Sequence, residues 1–216
     1  MGEALLNKGL AALGITVSPQ QEEALLLYLR ELLRWNKRVN LTSITDEDQA
    51  VEKHLVDSLT LLPYLEGVHS LLDIGSGGGF PSLPVKIARP NLEVVSVDAV
   101  RKKILFQRHI ARLLGLKSFT AVHARVEDLA GQREMDRRFS MITSRALSDL
   151  ETFVDWARPF AGPGSVLVAM KGRGAEQELE AARRSLEEQG VRLRDVDRIE
   201  LPFSASRRSL LFFEIA

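Results

Sequence analysis

The segment Leu71-Leu72-Asp73-Ile74-Gly75-Ser76-Gly77-Gly78-Gly79-Phe80-Pro81 carries an apolar strand straight into a glycine-dense turn that opens a helix. Glycine is needed where the backbone takes positive φ or where a ligand comes within contact distance of backbone amides. The following helix aims its positive end at whatever sits there. A strand, glycine turn and helix in this order predict an α/β fold with a nucleoside held at the turn.

Spacing narrows the nucleoside. The dinucleotide fingerprint asks for glycines at the first, third and sixth positions of the turn, and the sixth position counted from Gly75 is Phe80. The pyrophosphate pattern is therefore broken. Asp98 ends the next apolar run, Val94-Val95-Ser96-Val97, about 20 residues beyond the turn, where a carboxylate accepts hydrogen bonds from ribose hydroxyls. Together with Asp73, just ahead of Gly75, this pattern points to S-adenosylmethionine. The plainer alternative is a tight βα loop with Asp98 capping a helix.

Composition bounds the rest. The chain has 216 residues, 45% of them apolar, which suits one domain with a sizeable core. It holds no run of about 18 apolar residues and no basic, apolar leader at Met1, so a cytoplasmic protein without a membrane partner is expected. Cysteine is absent, which removes disulfides, thiolate metal sites and a cysteine nucleophile. The four histidines, His54, His69, His109 and His123, have no zinc-type spacing, so no metal is expected. Lysine and arginine number 29 and so do the acids, so any nucleic-acid binding must come from local patches. Candidates are Arg30, Arg34, Lys37 and Arg38; Arg101, Lys102, Lys103, Arg108 and Arg112; Arg133, Arg137 and Arg138; and Arg207 with Arg208. Taken alone, each of these runs reads more simply as a solvated face.

Ser18-Pro19-Gln20-Gln21 is a helix start, with a capping serine, proline at the first helical position and glutamine three residues on. The helix it opens carries Leu25, Leu26, Leu29, Leu32 and Leu33 as an apolar stripe. A second helix is expected over about 46–65. From residue 71 strands and helices alternate: strands near 71–74, 92–98, 118–123, 139–144 and 164–170, with helices after Pro81 and near 100–115, 148–159 and 175–189. Two closing runs, 191–201 and 208–215, read as an antiparallel hairpin. This predicts a doubly wound sheet with a helical cap over 1–66 and a cofactor-binding core over 67–216, all one domain, and a site at the carboxyl ends of the strands.

These residues resemble the bacterial small-subunit ribosomal RNA guanine-N7 methyltransferases of the RsmG or GidB type. The resemblance spans nearly the whole chain. It rests on Trp35-Asn36, Asn40-Leu41-Thr42, His54-Leu55-Val56-Asp57-Ser58-Leu59, the glycine block through Pro84, Asp98, Arg125-Val126-Glu127, Ser144-Arg145-Ala146 and Arg208 at the head of the last strand. It implies a class I, Rossmann-like methyltransferase that uses S-adenosylmethionine, releases S-adenosylhomocysteine and takes 16S rRNA, at a guanine of the 530 loop, in a 30S subunit or an assembly intermediate. Oligomeric state is left open, a monomer being compatible. Carried over, Asp73, Gly75, Gly77, Gly79 and Phe80 form the cofactor turn, with Gly75 and Phe80 on the methionine side. Asp98 takes the ribose, Val126 and Glu127 the adenine, and Arg145 the cofactor or substrate. Two departures stand out: Ser82 where glycine is usual and Ala99 where serine is common.

The residues also narrow the reaction. Methylating a pyrimidine carbon calls for a cysteine nucleophile, which is absent, and the amine-methylating Asp/Asn-Pro-Pro-aromatic segment is replaced by Thr143-Ser144-Arg145-Ala146-Leu147. Guanine N7 carries its own lone pair, so in-line methyl transfer needs alignment and no obligatory general base. Arg145 and Lys171, each ending a strand, are expected to hold the guanine or its phosphates, with Arg207 and Arg208 as further RNA contacts. For Lys171, snorkelling at a strand end is an equal alternative. His54 is expected to pack or cap, with Asp57 orienting it. A methyltransferase for a small metabolite and a nucleotide-binding module without methyl transfer remain open alternatives.

Overall fold

The computed structural model of the protein describes residues 2–132, 135, 138–145 and 149–215. Arg133, Arg137, Ala146 and Leu147 lie outside them. The cap starts earlier than the sequence suggests. Helix α1 (Gly2–Ala12) precedes the expected α2 (Pro19–Val39). Its glycines make it a weak helix former, and it gave no start signal. Packing decides it: Leu6 and Leu10 are buried, and Gly9 faces Val56 and Phe203 so closely that a Cβ would sit 2.9 Å from the valine methyl. In α2 the Ser18 hydroxyl accepts from the Gln21 amide while the Gln21 side chain accepts from the Ser18 amide, the expected capping box.

The second cap helix is not the single regular rod expected over 46–65. Asp46 caps α3 (Glu47–Ala50), which widens into a π-helical turn over Val51–Val56 and tightens again as α4 (Asp57–Leu59), followed by a 3₁₀ turn at Leu62–Tyr64. Wide turns of this kind re-aim side chains and recur at functional sites. Here the turn carries His54 and delivers Asp57.

The core sheet has seven strands: β1 (Ser70–Ile74), β2 (Glu93–Asp98), β3 (Phe119–His123), β4 (Met141–Arg145), β5 (Val166–Lys171), β6 (Val191–Glu200) and β7 (Arg207–Ile215). Their order is β3-β2-β1-β4-β5-β7-β6. The first five run parallel, and β7 inserts antiparallel between β5 and β6. The doubly wound class expected from the alternation is what forms, with the closing hairpin extending the sheet. Helices α5 (Ser82–Ala88) and α6 (Arg101–Leu113) cover one face beneath the cap. Helices α7 (Leu150–Ala157) and α8 (Ala175–Glu188) cover the other.

Strand alternation sorts the side chains. Leu71, Val94, Met141, Val168, Met170, Leu210 and Phe212 pack with Leu6, Leu25, Leu32 and Leu55 of the cap in one continuous core. Their neighbours Leu72, Val95, Ile142, Leu167, Ala169 and Leu211 pack under α7 and α8. Polar links tie the cap to the hairpin as well: the buried Glu52 carboxylate accepts from the amides of Phe203 (2.6 Å) and Ser204 (2.9 Å), and the Tyr64 hydroxyl donates to Asp197. Among the described residues no helix is long and apolar enough to cross a membrane.

Candidate active site

The glycine turn is held from beneath by the second strand. The amides of Gly75 and Ser76 both donate to the Val97 carbonyl, at 2.9 and 3.0 Å, and the Gly77 amide donates to Asp98 Oδ2 at 2.8 Å. A buried side chain that the sequence did not single out, Gln107 of α6, donates to Ser76 Oγ and to the Gly77 carbonyl, both at 2.8 Å, and accepts from Ser96 at 2.5 Å. Gly79 has φ +100°, and a Cβ there would run into the Leu83 side chain. Gly77, at φ +60°, opens onto empty space.

Asp73 lies under this turn with no exposed surface. Its Oδ2 accepts from the Ser82 amide at 3.1 Å, while Oδ1 is buried without a partner. Burial lifts its pKa to about 7, opposed by the bonds from Ser82 and by the Arg145 charge. The departure at Ser82 thus has a local use, since its hydroxyl also meets Ser96 at 3.4 Å in the buried network.

Asp98 closes β2 and accepts from the Gly77 and Val100 amides, each at 2.8 Å, with Lys103 at 3.7 Å. It borders a cleft shared with Gly75, Val126 and Glu127. The residues predicted for ribose and adenine therefore line one wall. Trp156 of α7 joins them; no sequence signal separates it from an ordinary core aromatic. Val126 and Glu127 enter on a 3₁₀ turn, Val126–Leu129, after β3.

Across the turn, Phe80 faces the cap rather than this cleft. Its ring stacks on His54 (centroids 4.3 Å, planes 18° apart), lies 5.4 Å from Tyr28, and carries the Arg145 guanidinium 4.8 Å from its centroid. Arg145 ends β4 and is gripped by the π-helical turn: Nη1 donates to the Lys53 carbonyl (2.7 Å) and to Asp57 Oδ2 (3.1 Å), and Nη2 approaches His54 Nδ1 at 3.4 Å. Arg208, leading β7, gives its Nε to Asp57 Oδ1 at 2.9 Å. Asp57 thus joins Arg145 to Arg208 rather than orienting His54.

His54 reaches Thr42 Oγ1 at 2.9 Å through Nε2. Burial and then the Arg145 charge drive its pKa down to about 3, so it is neutral. Thr42 is in turn fixed by Asn36, whose Oδ1 accepts from the Leu41 and Thr42 amides (2.6 and 2.9 Å) and whose Nδ2 donates to the Thr42 carbonyl (2.8 Å). Asn36 and the Asn40-Leu41-Thr42 motif are therefore scaffold for His54, with Asn40 left-handed at φ 46° as the helix stop, while Trp35 packs on Phe106 and His109 of α6.

The four cations expected to act together divide between the two faces of the sheet. Arg145 and Arg208 stand on the cap face. Lys171, one residue beyond Met170, turns to the α8 face and pairs with Glu178 at 2.8 Å, while Arg207 is exposed in a groove with Arg173 and Arg198 that Arg208 also borders. Of the basic runs on helices, Arg34 pairs with Glu31, and Arg108 donates to the Ala121 carbonyl at 2.8–3.0 Å. Among the described residues no cluster of histidines and acids could hold a metal ion.

The same architecture recurs in a putative O-methyltransferase from Klebsiella pneumoniae, with a TM-score of 0.63 over 99% of this chain and 97% of that one. At 16% identity that likeness speaks for the class I methyltransferase fold alone. Sequence relatives are far nearer. Proteins named ribosomal RNA small subunit methyltransferase G from Geobacter sulfurreducens and Geobacter metallireducens are 47% and 49% identical over 96% of this chain, covering 94% and 93% of theirs. Residues 21–209 match the family described as rRNA small subunit methyltransferase G. A glycine-turn cleft on a methyltransferase sheet and identity of this extent lead to one conclusion: the chain belongs to the rRNA small subunit methyltransferase G (GidB) family.

Proposed function

We propose that the protein transfers a methyl group from S-adenosylmethionine to N7 of a guanine in the 530 loop of 16S rRNA, in a 30S subunit or an assembly intermediate in the cytoplasm. The observation that carries this reading is the Arg145 guanidinium, set at the carboxyl end of β4 where the adjacent acid and base are already engaged. Asp57 is in two ion pairs, and His54 is neutral with Nδ1 turned to Arg145. Such a site offers donors and alignment rather than a base. Guanine N7 has no proton to lose, and alignment alone is worth about 7–11 kcal/mol in well-oriented reactions.

The residues present fit S-adenosylmethionine. Asp73 keeps a buried oxygen without a partner, and open space stands over Gly77. Asp98 holds two amide donors, which leaves acceptor capacity on a carboxylate. When bound, the cofactor supplies an electrophilic methyl on a sulfonium. Gly75, Gly77 and Gly79 let it approach the turn, Asp98 accepts from its ribose, and Val126, Glu127 and Trp156 take its adenine. Phe80 backs Arg145 with its ring. Arg145 meets guanine O6 or an adjoining phosphate with its fork of donors, and Arg208 and Arg207 meet flanking phosphates, while Lys171, 12% exposed and paired with Glu178, is held in that ion pair. Because N7 faces a groove of A-form RNA that side chains cannot enter, the target must be an unpaired or opened guanine.

The test is chemical. Small-subunit RNA treated with the enzyme and labelled cofactor, then reduced with borohydride and cleaved with aniline, breaks at 7-methylguanine, so a single new scission in the 530 loop is expected. Label on an exocyclic amine, a ribose or a pyrimidine carbon would overturn the reading.

A further inference from the structure

The geometry points to Asp57 as a positioning residue that presets two RNA-facing arginines, Arg145 and Arg208. This inference rests on the proposed role of those arginines. The Asp57 side chain is 4% exposed and spends one oxygen on each guanidinium: Oδ2 to Arg145 Nη1 at 3.1 Å and Oδ1 to Arg208 Nε at 2.9 Å. The two arginines come from β4 and β7, which are not neighbours in the sheet, since β5 lies between them. A cap residue is what brings them together.

One carboxylate balances only one of two positive charges, so the trio keeps a net positive charge, and the side chains of Arg145 and Arg208 are 16% and 22% exposed. Arg145 is held along its Nη1/Nη2 edge and Arg208 at two separate points. Arg145 gives Nη1 to Asp57 and Lys53 and turns Nη2 to His54, while Arg208 gives Nε to Asp57 and Nη1 to the Arg207 carbonyl. Arg145 Nε and Arg208 Nη2 have no acceptor among the described residues. A buried ion cluster is weak evidence for stability alone, because apolar side chains of the same volume serve as well. What it does supply is arginines immobilised before RNA arrives, which removes an ordering cost from the bound complex.

The test compares full-length wild type with Asp57→Asn, Arg145→Ala, Arg208→Gln and the Asp57→Asn/Arg208→Gln pair, using labelled S-adenosylmethionine and small-subunit rRNA. Asp57→Asn removes a negative charge beside the substrate, so KM for RNA should hold or fall while kcat drops about tenfold or more; misplacement of a bound group has that signature. Cofactor Kd, read by calorimetry, should stay within about twofold of wild type, whereas a merely structural defect would move it together with Tm. Adding Arg208→Gln should cost less on the Asp57→Asn background than on wild type. Unchanged kcat in Asp57→Asn, or fully multiplicative losses, would overturn the assignment. If Asp57→Asn does not fold, Asp57→Glu decides instead, since it keeps the charge but shifts the carboxylate by one methylene: a fall in kcat of about fivefold with cofactor Kd unchanged upholds the role and no change sinks it. Wild-type turnover by both Arg145→Ala and Arg208→Gln would show that the arginines do not serve RNA, a failure of the proposed function; loss in those two with full activity in Asp57→Asn rejects Asp57 alone.

Discussion

His54 and Asp73 are buried on the cap face of the sheet, and folding perturbs them in opposite directions. His54 is depressed from 6.5 to about 3, so the unfolded chain takes up a proton that the folded one refuses. Its contribution to stability is complete above the unfolded value and is lost as pH falls through that window. Asp73 is raised from 3.8 to about 7 by burial, so the folded chain holds a proton that the unfolded one releases. Its contribution is complete below the unfolded value and is lost as pH rises toward neutrality. Between about pH 4.5 and 6.5 the two slopes, each about 1.4 kcal/mol per pH unit, oppose one another. Asp73→Asn should therefore leave a protein whose stability climbs with pH across that range, and His54→Asn one whose stability declines. Urea midpoints at the two ends of the range check this, and identical slopes in all three proteins would contradict it. Gly79→Ala is a sharper insult, because φ +100° and the Leu83 side chain both exclude a Cβ. It should cost about 1–3 kcal/mol of stability by thermal unfolding and weaken cofactor binding by calorimetry.

At the scale of elements, the site is a contact between an irregular cap helix and the ends of strands. The π-helical turn over Val51–Val56 turns the Lys53 carbonyl, His54 and then Asp57 toward β4 and β7. Behind it, Asn36 staples the loop that follows α2 and thereby fixes Thr42 against His54. Asn36→Ala removes three hydrogen bonds of about 0.5–1.5 kcal/mol each. We expect faster amide exchange at Leu41 and Thr42, with protection in β1 and β2 unchanged. On the other side, Glu52 holds the turn between β6 and β7 through two backbone amides. Glu52→Ala leaves those donors unpaired and should cost about 1–3 kcal/mol, with proteolysis at residues 202–205 as the readout. Strands, glycine turn and capping box were legible because each is a local pattern: period, spacing, a single cap. The π-helical turn was not, since widening a helix depends on what Arg145 and Arg208 require from across the fold.

For the whole molecule, zero formal charge leaves RNA binding to local groups, and the fold distributes the proposed contacts over two faces. Of the proposed contacts, Arg145 and Arg208 stand on the cap side and Arg207 on the α8 side, where Lys171 is tied to Glu178. If both sides grip phosphates, the affinity for small-subunit rRNA should fall linearly with log salt, and Arg207→Gln should reduce the slope by about one. Filter binding between low and physiological salt checks this, and an unchanged slope would place Arg207 off the RNA. The cap is inseparable from the sheet in this design, because its leucines complete the core over Leu71, Met141 and Phe212.

The sequence by itself determined the α/β class, the glycine turn, Asp98 at the end of its strand and the family, since these are written in spacing along the chain and in motifs that survive without coordinates. Only the tertiary structure decided which charges meet. Arg145, Lys171, Arg207 and Arg208 look alike as strand-end cations, but side chains alternate between faces with a period of two residues. That parity places Arg145 and Arg208 on Asp57 and sends Lys171 to Glu178. Partners 88 and 151 residues apart are brought together by strand order and by the cap, neither of which a local pattern encodes.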